Sequence, residues 1–374
     1  MKILPIASGK GGVGKSLIAT NLSLALAQAG KKVVVADLDL GGSNIHIMLG
    51  QTGIQKGIGV FLSHRNYKFD DIIIQTEYKN LRFVPGDAEV PGAANLKCHQ
   101  KKRLIRHLGS LKADYCIVDL GAGTHLNIVD FFLTSGTGII VTEPTPTANL
   151  NAYLFLKNTI FRIMDTSFSK GSPAAEYIAG LSKQGSYLQR VYIPNLLEHV
   201  REKDLESYTK FQEKIHNFHP MLILNMVEEP KDVKKADKLR RSCREYLNID
   251  MVHLGIVYRD DLQDVALNAR LPMLLYKPKS VLSQGIYRIA DKILHNDIQG
   301  LSPLDFESLN EGYETAKIEA EVDFEMKLDY IKELLNTGTL SEGELIETIK
   351  TQQFEIRQLK KENTLLKKKI INER

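Results

Sequence analysis

Cysteine is scarce and unpaired in this chain. Cys98, Cys116 and Cys243 are widely spaced and no C-x-x-C occurs, which suits a reducing cytoplasm and removes the most obvious cluster-binding pairs. Long apolar runs are missing too: the longest are strand-sized, short of the ~18 residues a membrane span needs. The apolar start of the chain feeds a glycine loop, so no signal peptide is expected. Charge of one sign is not in excess either. A net +4 is too mild to imply a nucleic-acid protein by itself. There is no internal repeat and no low-complexity block. What is present is 374 residues, 43% of them apolar, enough to bury a large core and leave room for more than one domain.

Residues 9–16 read Gly-Lys-Gly-Gly-Val-Gly-Lys-Ser and satisfy the phosphate-loop pattern G-x-x-x-x-G-K-[ST] through Gly9, Gly14, Lys15 and Ser16. Ile3-Leu4-Pro5-Ile6-Ala7 before the loop reads as a short buried strand. Leu17, Leu22, Leu24 and Leu26 after it lie on an Ala-rich helix that stops at Gly30. The glycines let backbone N–H groups converge on phosphates, and the helix N-terminus adds its positive dipole end. Gly9, Lys10, Gly11, Gly12, Val13, Gly14, Lys15, Ser16 and Leu17 are therefore the expected nucleotide contacts. Lys15 would neutralise the terminal phosphates and Ser16 would ligate Mg²⁺. Lys10 is an extra lysine, and from the loop alone it reads equally well as a solvated charge.

Val33-Val34-Val35-Ala36-Asp37-Leu38-Asp39 is a β-branched run ending in two acids, as at the carboxyl end of a central parallel strand. Tyr115-Cys116-Ile117-Val118-Asp119 and Ile139-Ile140-Val141-Thr142 are further strands, followed late in the chain by Leu222–Asn225 and Leu254–Asp260. The fold class expected is α/β, a doubly wound and mostly parallel sheet.

In this order the motifs resemble the MinD/ParA class of deviant Walker A P-loop ATPases, over about residues 1–297. The resemblance implies ATP and Mg²⁺ as ligands. It implies that Lys10 reaches across a nucleotide-sandwich homodimer to the partner's phosphates and is catalytic with Lys15 and Asp39. Asp39 would orient the attacking water and belong with Ser16, Asp37 and Asp119 to the Mg²⁺ site. Asp37 would support the Mg²⁺ shell, although capping of the following turn is an open alternative for it. Asp119 would hold Mg²⁺ through water. Asn225 is the expected base-reading amide, and Tyr258, Arg259 and Asp260 lie on the strand end that holds the adenine in the class. Gly121 stands where the class usually has proline in D-x-P, so a more pliable loop is expected there.

Three stretches depart from a minimal ATPase of this class. Residues 165–219 read as a mostly helical insertion, with Leu205, Tyr208, Phe211 and Ile215 at helical steps. It is either an elaboration of the sheet's flank or a partner-docking subdomain. Lys231 to Arg244 is rich in Lys and Arg but is interrupted by acids, which favours a solvated helix face over a DNA footprint. After a linker at 298–313, residues 314–374 read as a helical extension. Residues 342–371 fit a coiled coil with Asn363 at an a position. A lipid-binding amphipathic helix is the rival reading of that segment.

The chain most resembles the MinD and FlhG/FleN branch, although no counterpart of the flagellar regulators' N-terminal activating segment is expected ahead of Met1. The expected function is a slowly hydrolysing ATP switch that dimerises with ATP and positions or regulates an unknown protein partner. It would be cytoplasmic, with peripheral contact at the inner membrane or cell pole through the tail. The alternatives are a ParA-like DNA-partitioning ATPase and an iron-sulfur carrier ATPase.

Overall fold

The computed structural model describes residues 1–64, 66–86, 96–183, 191–299 and 306–336. The apolar runs read from the sequence become β1 (Lys2–Ser8), β2 (Val33–Leu38), β5 (Tyr115–Ala122), β6 (Ile139–Thr142), β7 (Met221–Val227) and β8 (Val252–Tyr258). Two short strands, β3 (Ile74–Gln75) and β4 (Leu81–Val84), complete one sheet of order β3-β4-β2-β5-β1-β6-β7-β8. Only the β3–β4 pair is antiparallel. Every residue of β2 is buried, as a strand covered on both faces requires.

Helices cover the two faces: α1 (Lys15–Gln28), α2 (Ile45–Met48), α3 (Ile58–Ser63), α4 (Cys98–Gly109), α5 (Leu126–Phe132) and α6 (Pro146–Ser167). They continue as α7 (Pro173–Lys183), α8 (Ile193–Lys203), α9 (Leu205–His216), α10 (Val233–Ser242), α11 (Leu262–Asn268), α12 (Met273–Tyr276), α13 (Val281–Gln299) and α14 (Phe306–Asn336). None of the described helices is long and apolar enough to cross a membrane. Strand order reverses around β1, whose neighbours β5 and β6 lead to opposite edges. The crevice outside the carboxyl ends there is where an open α/β sheet binds its ligand.

The stretch read as an insertion is α7, α8, α9 and the end of α6. Phe211 is buried and Leu205 is 63% exposed, so the packed face of α9 is narrower than its apolar spacing suggests. Asp204 caps α9, its Oδ1 accepting from the Ser207 amide at 3.0 Å. In the basic stretch, Lys235 pairs with Asp232 and Arg241 with Asp237. Arg240 is buried, with its guanidinium 4.3 Å from the Tyr313 ring centre. The helix is therefore ion-paired and partly packed, not one continuous cationic face.

Two compact units divide the chain, residues 1–321 and 322–374. The expected linker at 298–313 is thus helical from Phe306, and the first unit extends beyond 297. The reason is an edge: β8 would otherwise end the sheet exposed. Tyr313, Ala316 and Ala320 of α14 are buried, the Tyr258 hydroxyl donates to the Ala320 carbonyl at 2.6 Å, and Lys292 pairs with Glu319 at 2.7 Å. The coiled-coil register at 342–371, including Asn363, lies outside the described residues.

His253 of β8 packs against the Tyr313 ring at 4.8 Å and is fully buried. Neither of its ring nitrogens has a hydrogen-bond partner among the described residues. Burial, with Lys292 and Arg240 nearby, pushes its pKa down to about 3. The folded state therefore keeps His253 neutral while the unfolded chain takes up a proton below about pH 6.5. Stability should fall as pH drops from 6.5 toward 3, by about 2 kcal/mol from this group at pH 5. Urea unfolding at pH 7.5 and 5.0 measures it. His253→Phe should reduce the loss, and an unchanged difference between the two pH values would contradict the assignment.

Candidate nucleotide site

The phosphate loop joins β1 to α1 at the carboxyl end of the sheet's centre. Gly12 and Gly14 have φ of +81° and +86°, a region that strongly favours glycine. Gly14 is hemmed in as well: a Cβ there would lie 2.2 Å from Asn225 Nδ2, and one on Gly9 would lie 2.1 Å from the Asn151 carbonyl oxygen. Val13 is buried, and its carbonyl accepts from Asn225 Nδ2 at 2.9 Å. Asn225, expected to read the base, thus braces the loop from below in this structure.

Gly11, Gly12, Gly14, Lys15, Ser16 and Leu17 line a cavity of about 450 Å³ together with Asp39 and Asn44. Its far wall comes from Met226, Gln263, Leu267, Pro272 and Met273. The wall is pinned to the loop's own helix, since Asn21 Oδ1 of α1 accepts from the Leu274 amide at 3.1 Å. Lys15 is only 6% exposed.

Ser16 Oγ donates to Asp119 Oδ2 at 2.5 Å, while Asp119 Oδ1 is buried with no partner among the described residues. Burial, and then the charge of Asp37, push the Asp119 carboxyl up to about 7, against the pull of Lys15 and the Ser16 hydroxyl. A buried carboxylate with an orphaned oxygen beside a phosphate-loop serine fits a Mg²⁺ site. Among the described residues no three His, Cys, Asp or Glu side chains converge to hold an ion alone, so phosphate and water oxygens would complete the shell.

Asp37 takes the second of its two expected readings and closes the turn that follows β2. It is fully buried, its Oδ2 accepts from Ser43 Oγ at 2.6 Å and the Ile45 amide at 3.3 Å, and its Oδ1 accepts from the Asp39 amide at 3.1 Å. Both oxygens accept from the 39–45 loop, so Asp37, paired in register with Asp119, shapes the loop that presents Asp39. Burial raises its pKa. Gly121 belongs to β5, not to a loop, and a Cβ on it would come within 3.4 Å of Asp39 Oδ1. The missing side chain there leaves room for the Asp39 carboxylate.

Tyr258 corrects an expectation. Its side chain is buried toward α14, not toward the cavity. Asp260 Oδ1 accepts from the Leu262 amide at 3.0 Å and so starts α11, and Arg259 sits 3.6 Å from Glu228. None of the three lines the cavity.

Lys10 also lies outside the cavity lining. Its Nζ donates to Glu143 Oε1 at 2.9 Å, and the Thr145 hydroxyl donates to the same oxygen at 2.9 Å. Burial works against the charge on Glu143, yet these hydrogen bonds hold its carboxyl below the usual range. Glu143 was not singled out from the sequence, although the Thr-Glu-Pro at the end of β6 carries the acid in plain view. Of the cysteines, Cys116 and Cys243 are buried and Cys98 is exposed. Burial pushes the Cys116 thiol up to about 12.

Residues 1–158 match the ParA family model, described as NUBPL iron-transfer P-loop NTPase. The flagellum site-determining protein YlxH of Helicobacter pylori is 35% identical over 163 residues, 42% of this chain and 53% of the relative. The antiactivator FleN of Pseudomonas aeruginosa is 28% identical over 159 residues, 42% of this chain and 56% of that one. The chain thus aligns to about half the length of these relatives. Among solved structures, the septum site-determining protein MinD of Pyrococcus horikoshii, complexed with Mg-ADP, superposes with a TM-score of 0.53 at 20% identity. That match covers 80% of this chain and 99% of the other and shows the shared fold.

Proposed function

We propose that this chain, whose residues 1–158 are those of a ParA-family P-loop NTPase, is an ATP-driven switch that places or counts a cellular structure by engaging a partner. The observation that carries this reading is one cavity lined by Lys15, Ser16 and Asp39, with Asp119 and its unpartnered oxygen behind Ser16. Phosphoryl transfer asks for little more than such positioning and charge stabilisation. The loop amides and Lys15 would hold the triphosphate. Bound Mg²⁺, near Ser16 and Asp119, would neutralise charge on the phosphate oxygens. Asp39 would orient the attacking water.

ATP would join two copies, with Lys10 of each meeting the other's phosphates. In the single chain Lys10 is held by Glu143, and its side chain is 43% exposed. Glu143 is 15% exposed, so the pair is half open to solvent, and a triphosphate, with several negative oxygens against one carboxylate, would compete for Lys10. Two relatives' names support a positioning role, a flagellum site-determining protein and a septum site-determining protein. Cytoplasmic residence with peripheral membrane contact through the tail belongs to the same proposal. DNA partitioning is less well supported, because Arg240 is buried and its neighbours are ion-paired. Iron transfer is not adopted, since only Cys98 among the cysteines is exposed.

Asp39→Ala tests the assignment. The variant should bind Mg-ATP as wild type does and lose at least ~100-fold in phosphate release, the order lost with one transition-state contact. Turnover at the wild-type rate would remove Asp39 from the role.

A further inference from the structure

We propose that a second binding site, for a phosphate-bearing anion, lies at the opposite end of the sheet from the nucleotide loop. A cleft of about 590 Å³ there is lined by Lys68, Arg82, Arg103, His107 and Lys112, with Asp70 as its one carboxylate. Arg82 sits near the start of β4 and Lys112 just ahead of β5, whereas the phosphate loop follows the carboxyl end of β1.

The charges are left unbalanced. Some other cations do have carboxylates: Lys101 of α4 and Arg162 of α6 share Asp130. Among the described residues, none of Lys68, Arg82, Arg103 and Lys112 makes an ion pair. Asp70 and the carboxyl end of α4, whose dipole amounts to about half a negative charge, together fall short of the four cations.

Two of the cations are held in place. Arg82 Nη2 donates to the Lys112 carbonyl at 2.6 Å, which draws the two residues together. The Arg103 guanidinium lies 4.0 Å from the Phe61 ring centre. Phe69 stacks on His107 with ring centres 5.3 Å apart, and Phe61 meets both rings edge-on. The floor of the cleft is thus packed, aromatic and positively charged. Burial and the charges of Arg106 and Arg103 hold His107 below its usual pKa, against Asp70, as a positive field requires. Guanidinium groups fixed beside lysines suit the oxygens of a phosphate, and the cleft has room for a phosphorylated small molecule or a lipid headgroup.

The test uses the full chain with saturating Mg-ADP, so that the phosphate loop is filled, and pyrophosphate as the probe. The His107 imidazole is followed by NMR across pH. Pyrophosphate should raise its titration midpoint by about one unit, because a nearby anion favours the charged ring. Arg103→Ala should weaken the response about tenfold or more, the cost of one charged hydrogen bond. Lys112→Ser, at an exposed position that cannot unsettle the fold, should weaken it as well. Phosphatidylglycerol vesicles form the second arm: a His107 response to vesicles and none to pyrophosphate would assign the phosphate to a lipid headgroup. No His107 response to either probe, or a pyrophosphate response untouched by both substitutions, would overturn the proposal.

Discussion

Replacing Lys15 with alanine is expected to abolish ATP binding or weaken it severely. Lys15 is nearly buried in the loop, preceded by glycines that let the backbone approach the phosphates. Removing one member of a desolvated charge pair costs about 2–5 kcal/mol, at least a thirtyfold loss in affinity. The apo fold should survive, because Lys15 makes no ion pair among the described residues and Asn225 holds the loop through Val13 regardless. Calorimetry with Mg-ATP on a variant whose unfolding curve matches wild type is the measurement. Binding within threefold of wild type would mean the nucleotide does not sit in this loop.

A chain ended after residue 297 should be severely destabilised relative to one ended after 321. The longer form keeps Tyr313 buried against His253 and Arg240, the Tyr258–Ala320 hydrogen bond and the Lys292–Glu319 pair. The shorter form exposes Tyr258 and the free edge of β8. Loss of a buried aromatic and of a buried hydrogen bond together costs about 4 kcal/mol, a large part of a typical folding free energy. The melting temperature should fall by on the order of 10 °C. Equal melting temperatures would show that α14 is an ornament of the first unit rather than part of it.

Much of the sheet was legible because each central strand announces itself as a β-branched or apolar run ending in a chemical residue. Lys15 and Ser16 could be placed on the cavity from the spacing of the phosphate loop, whereas Asp39, beyond the end of β2, was placed by resemblance to the class. For Asp37 the sequence left two readings open, Mg²⁺ support and closure of the following turn. Two acids two residues apart share a strand face, and which reading holds depends on the turn that Ser43 and Ile45 close around Asp37. Tyr258 was misread for a tertiary reason. Its position at a strand end is right, but its ring is claimed by Ala320, 62 residues further on. The helix that claims it is built on Tyr313 and small alanines, too weak an apolar stripe to mark the boundary at 321. The Lys10–Glu143 pair spans 133 residues, and no local pattern reports a contact of that separation.

The central claim is that ATP, acting through Lys10, joins two copies of this chain. Light scattering on the Asp39→Ala form of residues 1–321, which contains the whole first unit and none of the tail read as a coiled coil, tests it directly. The mass should be that of one chain with Mg-ADP and of two with Mg-ATP, and adding Lys10→Ala should keep it at one chain with either nucleotide. The same mass with both nucleotides, or a doubling that survives Lys10→Ala, would contradict the account.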